Sequence, residues 1–245
     1  MRITLGKLRR AIREELDNTL GDAEGDYDSQ YDYGIPPDAK VCPSVPTASS
    51  TDVVVPDIDD WQDKVKIPVP LLHQASSFSC GAACTLALFL YWMPNDAPYE
   101  TEYDLWNVLE TTEENGTEPR KMVDALVAEG LEASYGSEFT LDEVRKHVDA
   151  GKTVILCFQA WPGRRLEGWE FTWADGHYSV VVGMDDDNVY IMDPSTHGSY
   201  VWMPNDELVE RWHDVDEGVP KQGIAIVVSG SDPRRDFPGS LKRLC

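Results

Sequence analysis

The sequence predicts an α+β domain, with helices in its first half and an antiparallel sheet in its second, behind a long polar N-terminal stretch. Helix-period apolar patterns with start and stop signals run from Ser79 to Gly151. Strand-like runs joined by short turns follow from Thr153 to Val228. Residues 21–64 show neither pattern.

Residues 1–20 read as a separate amphipathic helix. Leu5, Leu8, Ile12 and Leu16 recur at helical spacing, with Arg9, Arg10 and Arg13 between them. Such a helix either packs on its parent domain or docks a protein partner. Residues 21–64 form an acidic linker rich in Asp, Gly, Tyr and Pro, too polar to offset chain entropy by burial. Within it, VVVP at 53–56 is a candidate short strand.

The folded unit is expected over 65–230, with 231–245 as a C-terminal tail. KIPVPLLHQ is extended, because two prolines break it. SCGAACTLALFLYW is a buried helix with Ser79 as its cap, ended by Pro94. Helices follow over 99–110, over 119–129 (opened by Thr117) and from the Thr140/Glu143 capping box to Gly151. Strands are expected at 153–158, 177–184, 188–193, 199–203 and 223–228, with a helix at 204–213.

Composition excludes some functions. The chain has 245 residues, 42% hydrophobic, and a formal net charge of −23. So acidic a surface repels phosphates and anionic lipid, so no nucleic-acid partner is expected. No apolar run is long enough for a membrane span, and the N-terminus lacks the apolar core of a secretory signal. Cys42, Cys80, Cys84, Cys157 and Cys245 are odd in number and widely spread. They read as thiols in a reducing compartment, the cytoplasm, rather than as a disulfide framework. The acidic turn Asp185–Asp187 lacks the ligand spacing of a calcium loop, and no metal or other cofactor is assigned.

Cys80 is the candidate nucleophile. It opens the buried helix, where the dipole and free amides favour a thiolate, and the polar loop before it leaves the sulfur accessible. Gly81 is expected to let substrate approach the backbone. Cys84 and Cys157 lie in apolar runs and read as core. Among five histidines, His177 opens a strong strand directly after Gly176, so it is the candidate base. Asp193 ends the next strand, and a short hairpin brings it to the same edge, where a carboxylate orients the ring. Gln74, six positions before Cys80, is the candidate oxyanion donor beside the Cys80 amide. The loop 161–176 holds Trp161 and Trp173, which either line a substrate cleft or pack on the domain edge.

QASSFSCGAACTLALFL, followed by GHYSVVVGMDDDNVYIMDPS, resembles the papain-like cysteine peptidases of the bacteriocin-processing, double-glycine leader peptidase type. The resemblance covers roughly residues 68–229. It implies a papain-like fold, a helical half whose nucleophile helix packs on an antiparallel sheet. It also implies Cys80 as nucleophile, His177 as base, Asp193 as orienting acid and Gln74 in the oxyanion hole. Ser79 stands where such processors often have Asp. The implied function is cleavage of a peptide or amide bond through an acyl-thioenzyme. A catalytically silent binding domain, or cargo docked to a larger assembly, are the alternatives.

Overall fold

The computed structural model describes residues 61–160, 169, 173, 175–196, 199–234 and the strand Ser240–Arg243. The sequence readings on residues 1–60, the 53–56 strand among them, and on Trp161 lie outside the described residues. Elements run α1 (Trp61–Lys64), α2 (Cys80–Trp92), α3 (Glu102–Leu109), α4 (Pro119–Ala128), β1 (Glu132–Gly136), α5 (Leu141–Asp149), β2 (Thr153–Gln159), β3 (Gly176–Met184), β4 (Asn188–Met192), β5 (Ser199–Pro204), α6 (Asn205–Arg211), β6 (His213–Asp216), β7 (Val219–Gln222), β8 (Ile224–Ser229) and β9 (Ser240–Arg243).

Helix α2 is apolar on every side, and twelve of its thirteen residues are buried, so it can sit only in the interior. It packs on β3, with α3 and α4 against its other faces. The main sheet has the order β1-β8-β2-β3-β4-β5-β9, antiparallel except for the β5–β9 pair. Strands β2, β4 and nearly all of β3 are buried throughout, as expected for central strands covered on both faces. The α+β expectation therefore holds, with corrections. Strand β1 interrupts the helical half, and a β6–β7 hairpin stands where only a helix end and loop were expected. Strand β9 adds an edge inside the expected tail, and α1 lies inside the expected linker. The β6–β7 hairpin turns on Glu217 and Gly218, both at positive φ, a conformation that Gly218 accepts without strain.

The Thr140/Glu143 capping box forms as expected. Two other caps do not. The Ser79 hydroxyl turns back to the Ser76 carbonyl instead of capping α2. Thr117 bonds Thr111 at 2.8 Å, and the cap position of α4 falls to Glu118.

The chain before Cys80 is locked to the sheet. Lys66 and Ile67 donate backbone N–H groups to the Val182 carbonyl, at 2.8 and 2.9 Å. A Cβ on Gly183 would lie 1.8 Å from the Lys64 carbonyl oxygen, a backbone atom that cannot rotate away. Gly183→Ala is expected to destabilise the protein by about 1–3 kcal/mol, read as a lower midpoint in urea unfolding.

Candidate active site

Cys80 is the first residue of α2, where backbone N–H groups have no partner within the helix. The loop leading to it is held by a buried carboxylate. Glu102 accepts from the Ala75 N–H at 2.9 Å and from the Trp106 indole at 3.0 Å. Burial pushes the Glu102 carboxyl up, and its donors oppose that rise. Ser76 closes the same loop by donating its N–H to the Ser79 hydroxyl at 3.0 Å. The tip of α2 is also pressed from outside: a Cβ on Gly81 would lie 2.7 Å from the Thr117 Cβ and 3.2 Å from the Tyr178 ring. Gly81 thus leaves room for Thr117 and Tyr178 to lie against the helix tip.

His177, 1% exposed, projects from β3 into the space before α2. Its Nε2 lies 3.2 Å from Asp193 Oδ2. Burial disfavours the charged ring, but the Asp193 carboxylate and then the Cys80 sulfur override it, holding the pKa up at about 10. Cys80 is a hydrogen-bonding neighbour of the ring. Because Nε2 faces the carboxylate, Nδ1 is the nitrogen left for the sulfur.

Asp193 is 1% exposed and lies just beyond β4. Its Oδ2 also accepts from the Ser179 hydroxyl at 3.0 Å. Its Oδ1 accepts from the Ser195 N–H at 2.7 Å and from the Ser195 hydroxyl. Burial would raise its pKa; His177 and the Ser195 donors outweigh that and lower it to about 2. A buried charge so surrounded cannot swing away without stranding its donors.

Gln74 is tied to the same end of the sheet, its N–H donating to the Pro194 carbonyl at 2.8 Å. Its side-chain Nε2 donates to the Ser76 carbonyl at 2.6 Å, while Oε1 is buried without a hydrogen-bond partner. Exchanging the two amide atoms would set oxygen against oxygen, so this orientation is the favourable one. The Ser76 carbonyl takes one of the two amide protons.

The other two buried thiols differ from Cys80. Cys84 donates to the Tyr178 carbonyl at 3.3 Å, and Cys157 to Asp214 Oδ2 at 3.1 Å. Burial pushes both thiols well up, which keeps them protonated and poor nucleophiles.

A cleft of about 560 Å³ opens beside Cys80. Its walls include Trp173, Gly176 and Tyr178, together with the β6 end and turn of the β6–β7 hairpin. Six carboxylate residues line it, Glu113, Glu114, Glu118, Asp214, Asp216 and Glu217, and no Lys or Arg does among the described residues. The Trp173 ring lies tilted against His213, with centroids 4.3 Å apart and planes inclined by 42°. At Gly176 a Cβ would fall 2.0 Å from Asp214 Oδ2, so glycine is what lets the hairpin close on the sheet.

The structure thus brings Cys80, His177 and Asp193 together, anchors Gln74 beside them, and sets Trp173 and Gly176 in the cleft wall. Sequence reasoning missed Glu102, Thr117, Ser179, Ser195 and Asp214. Ser179 was readable, since it lies two positions from His177 on one strand and so shares its face. Ser195 was readable as the Asp-Pro-Ser turn after β4. Glu102 and Asp214 act across distant segments and leave no local signal.

The model of the Peptidase_C39 like family matches residues 66–217, more than half of the chain. No curated protein matches. Among solved structures, a C39-like peptidase from Bacillus anthracis is 17% identical, covering 67% of this chain and 96% of its own, with a TM-score of 0.48. The double-glycine motif protease of an AMS/PCAT transporter, solved with the leader peptide, is 18% identical over 66% of this chain and 92% of its own, TM-score 0.44. The peptidase domain of Streptococcus ComA, a bifunctional ABC transporter, is 18% identical over 66% and 99%, TM-score 0.46.

Proposed function

The chain belongs to the C39-like peptidase family and is a cysteine peptidase, and from that premise we propose that Cys80, His177, Asp193 and Gln74 are its working residues on a peptide or protein substrate. The observation that carries this reading is the buried His177–Asp193 pair at 3.2 Å with the Cys80 sulfur as the ring's other neighbour. Cys80 Sγ attacks the substrate carbonyl carbon, and its electron pair forms the C–S bond. The carbonyl electrons move to oxygen, where the Cys80 N–H and the Gln74 amide receive the charge. The tetrahedral species collapses, the C–N bond breaks, and the leaving amine takes its proton from His177. Water then gives a proton to His177 and attacks the thioester, releasing the acid and restoring the thiolate. An amine in place of water would make the same residues a transferase.

The acidic cleft favours a substrate with basic side chains near the scissile bond. The peptidase unit is read as residues 65–230. No helix among the described residues is long and apolar enough to cross a membrane. A cytoplasmic site of action is supported by the free thiols of Cys80, Cys84 and Cys157.

Brief exposure to iodoacetamide near pH 7, followed by peptide mapping, tests the assignment. Cys80 is expected to be alkylated at least about tenfold faster than Cys84 or Cys157. His177→Ala is expected to abolish that preference. Equal or slower labelling of Cys80 overturns it. A peptide library, with Cys80→Ala as the blank, then defines the substrate.

A further inference from the structure

The carboxylates that line the cleft beside Cys80 are not equivalent. Lys221 and the Tyr135 hydroxyl donate to Asp216, and Arg120 lies 3.6 Å from Glu217. Glu113, Glu114 and Glu118 are exposed at the rim, where solvent and salt screen them. Asp214 is partly buried, and its three donors are all neutral. The Cys157 thiol donates to Oδ2 at 3.1 Å, while the Gln159 amide and the Val215 N–H donate to Oδ1 at 3.3 and 2.8 Å. No described Lys or Arg stands in the cleft to neutralise it. The charge of Asp214 is therefore held in place and left uncompensated.

Its position is close to the reacting groups. A Cβ on Gly176 would lie 2.0 Å from Asp214 Oδ2, and Gly176 directly precedes His177. Cys157, which donates to the same oxygen, lines the cleft together with Cys80. The field of the carboxylate reaches its neighbours. Burial first and Asp214 second push the Cys157 thiol well up. Burial, then Cys157, Cys80 and Asp214, raise the Tyr178 hydroxyl. A carboxylate offers about four acceptor positions, roughly two on each oxygen. Here Oδ1 serves two donors and Oδ2 serves one. The remaining position on Oδ2 takes a single N–H donor and is too few for the parallel bonds of a guanidinium fork.

We propose that Asp214 is a specificity-determining residue of this cleft, and that its Oδ2 accepts the ammonium group of a lysine side chain near the scissile bond of a peptide substrate. An ammonium suits a single acceptor because it is a compact point charge on a flexible stem. Asp214 takes no part in making or breaking the scissile bond; it selects the peptide presented to Cys80. The choice of lysine rests on the peptidase reading above, whereas the uncompensated charge beside Cys80 does not.

Two measurements on the full chain test this. In the first, peptides that differ only in carrying lysine, arginine or uncharged norleucine at one position flanking the cleaved bond are compared by kcat/KM. One position is expected to favour lysine over norleucine at least about tenfold, and over arginine at least about twofold. Asp214→Asn is expected to cut the lysine-to-norleucine ratio at least about fivefold. Glu113→Gln with Glu114→Gln, at the exposed rim, is expected to change it less than about twofold. Asp214→Ser gives the same readout should the asparagine form fail to fold. The second measurement needs no substrate. Cys80 is labelled with a cationic and an anionic methanethiosulfonate, and the ratio of rates is divided by that for free N-acetylcysteine. The quotient is expected to exceed about three and to fall toward one in Asp214→Asn. Equal cleavage of the lysine and norleucine peptides overturns the proposal. So does a preference for arginine, or a lysine preference that survives Asp214→Asn or is lost equally in the rim variant. If no peptide is cleaved and iodoacetamide does not select Cys80, the peptidase reading fails, and the methanethiosulfonate quotient still decides whether Asp214 sets the charge beside Cys80.

Discussion

Replacing Cys80 by alanine is expected to remove peptide cleavage, a fall on the order of 10⁵–10⁶-fold. No other described group can take over. Cys84 and Cys157 are buried thiols held protonated by their surroundings and bonded to Tyr178 and Asp214. His177→Ala is expected to cost nearly as much, and the double variant no more than either alone. Nucleophile and base act in one step, so removing either removes the step. Asp193→Asn should cost less, because an amide oxygen in the Oδ2 position still accepts from the ring and from Ser179, although the amide nitrogen then faces the Ser195 N–H. Melting separates chemistry from folding. Cys80 sits at a helix tip with 7% of its surface exposed, and loss of one sulfur there should change stability by no more than about 1 kcal/mol. A Cys80→Ala protein that keeps more than about 1% of wild-type activity, with its melting unchanged, would transfer the reaction to some other residue.

The parts of this site readable in advance are those that local pattern dictates. Cys80 sits where a polar loop gives way to an unbroken apolar run, which marks a helix tip. His177 and Asp193 sit at the start of one strand and just past the end of the next, and the short turn Asp185–Asp187 makes them neighbours. Each of these readings needs only contiguous sequence and the pleat of a sheet. What stayed hidden depends on pairing between distant segments. Strand β1, EASYG, is short and mixed in character, and it is a strand because β8, nearly a hundred residues on, pairs with it. Strand β9 exists through its parallel pairing with β5. The β6–β7 hairpin carries charges, an exposed valine in each strand and a proline, so its composition reads as loop. Its role as a cleft wall comes from Asp214 lying against the bare Cα of Gly176. Likewise Glu102 shapes the nucleophile loop from a separate helix, and only the fold reveals that its carboxylate faces Ala75. The proposed catalytic set is a local property of this sequence, and the walls of the cleft beside it are a tertiary one.

The buried pair should also impose a pH dependence on stability whose sign is fixed by the direction of each shift. His177 has its pKa raised in the folded state from an ordinary value near 6.5 to about 10. Below pH 6.5 the ring is protonated folded or unfolded, and the pair's full contribution is present. Above that, the folded protein holds a proton the unfolded chain has lost, so stability falls as pH rises, by at most about 1.4 kcal/mol per pH unit. The loss is complete once pH passes the folded pKa. Asp193 works at the other end: its pKa is lowered to about 2, so its contribution is present above its ordinary value of 3.8 and lost as pH falls through 2. The measurement belongs in a Cys80→Ala background, so that the profile reports the ring and the carboxylate alone. There Asp193, the larger of the two influences raising the ring, remains. Urea unfolding of that protein is expected to show about 1–2 kcal/mol less stability at pH 8.5 than at pH 7. With Asp193→Asn added, burial alone acts on the ring, His177 is neutral in both states, and the decline should vanish. If the two proteins show the same profile across this range, the ring is not held charged by Asp193, and the carboxylate serves only to orient it.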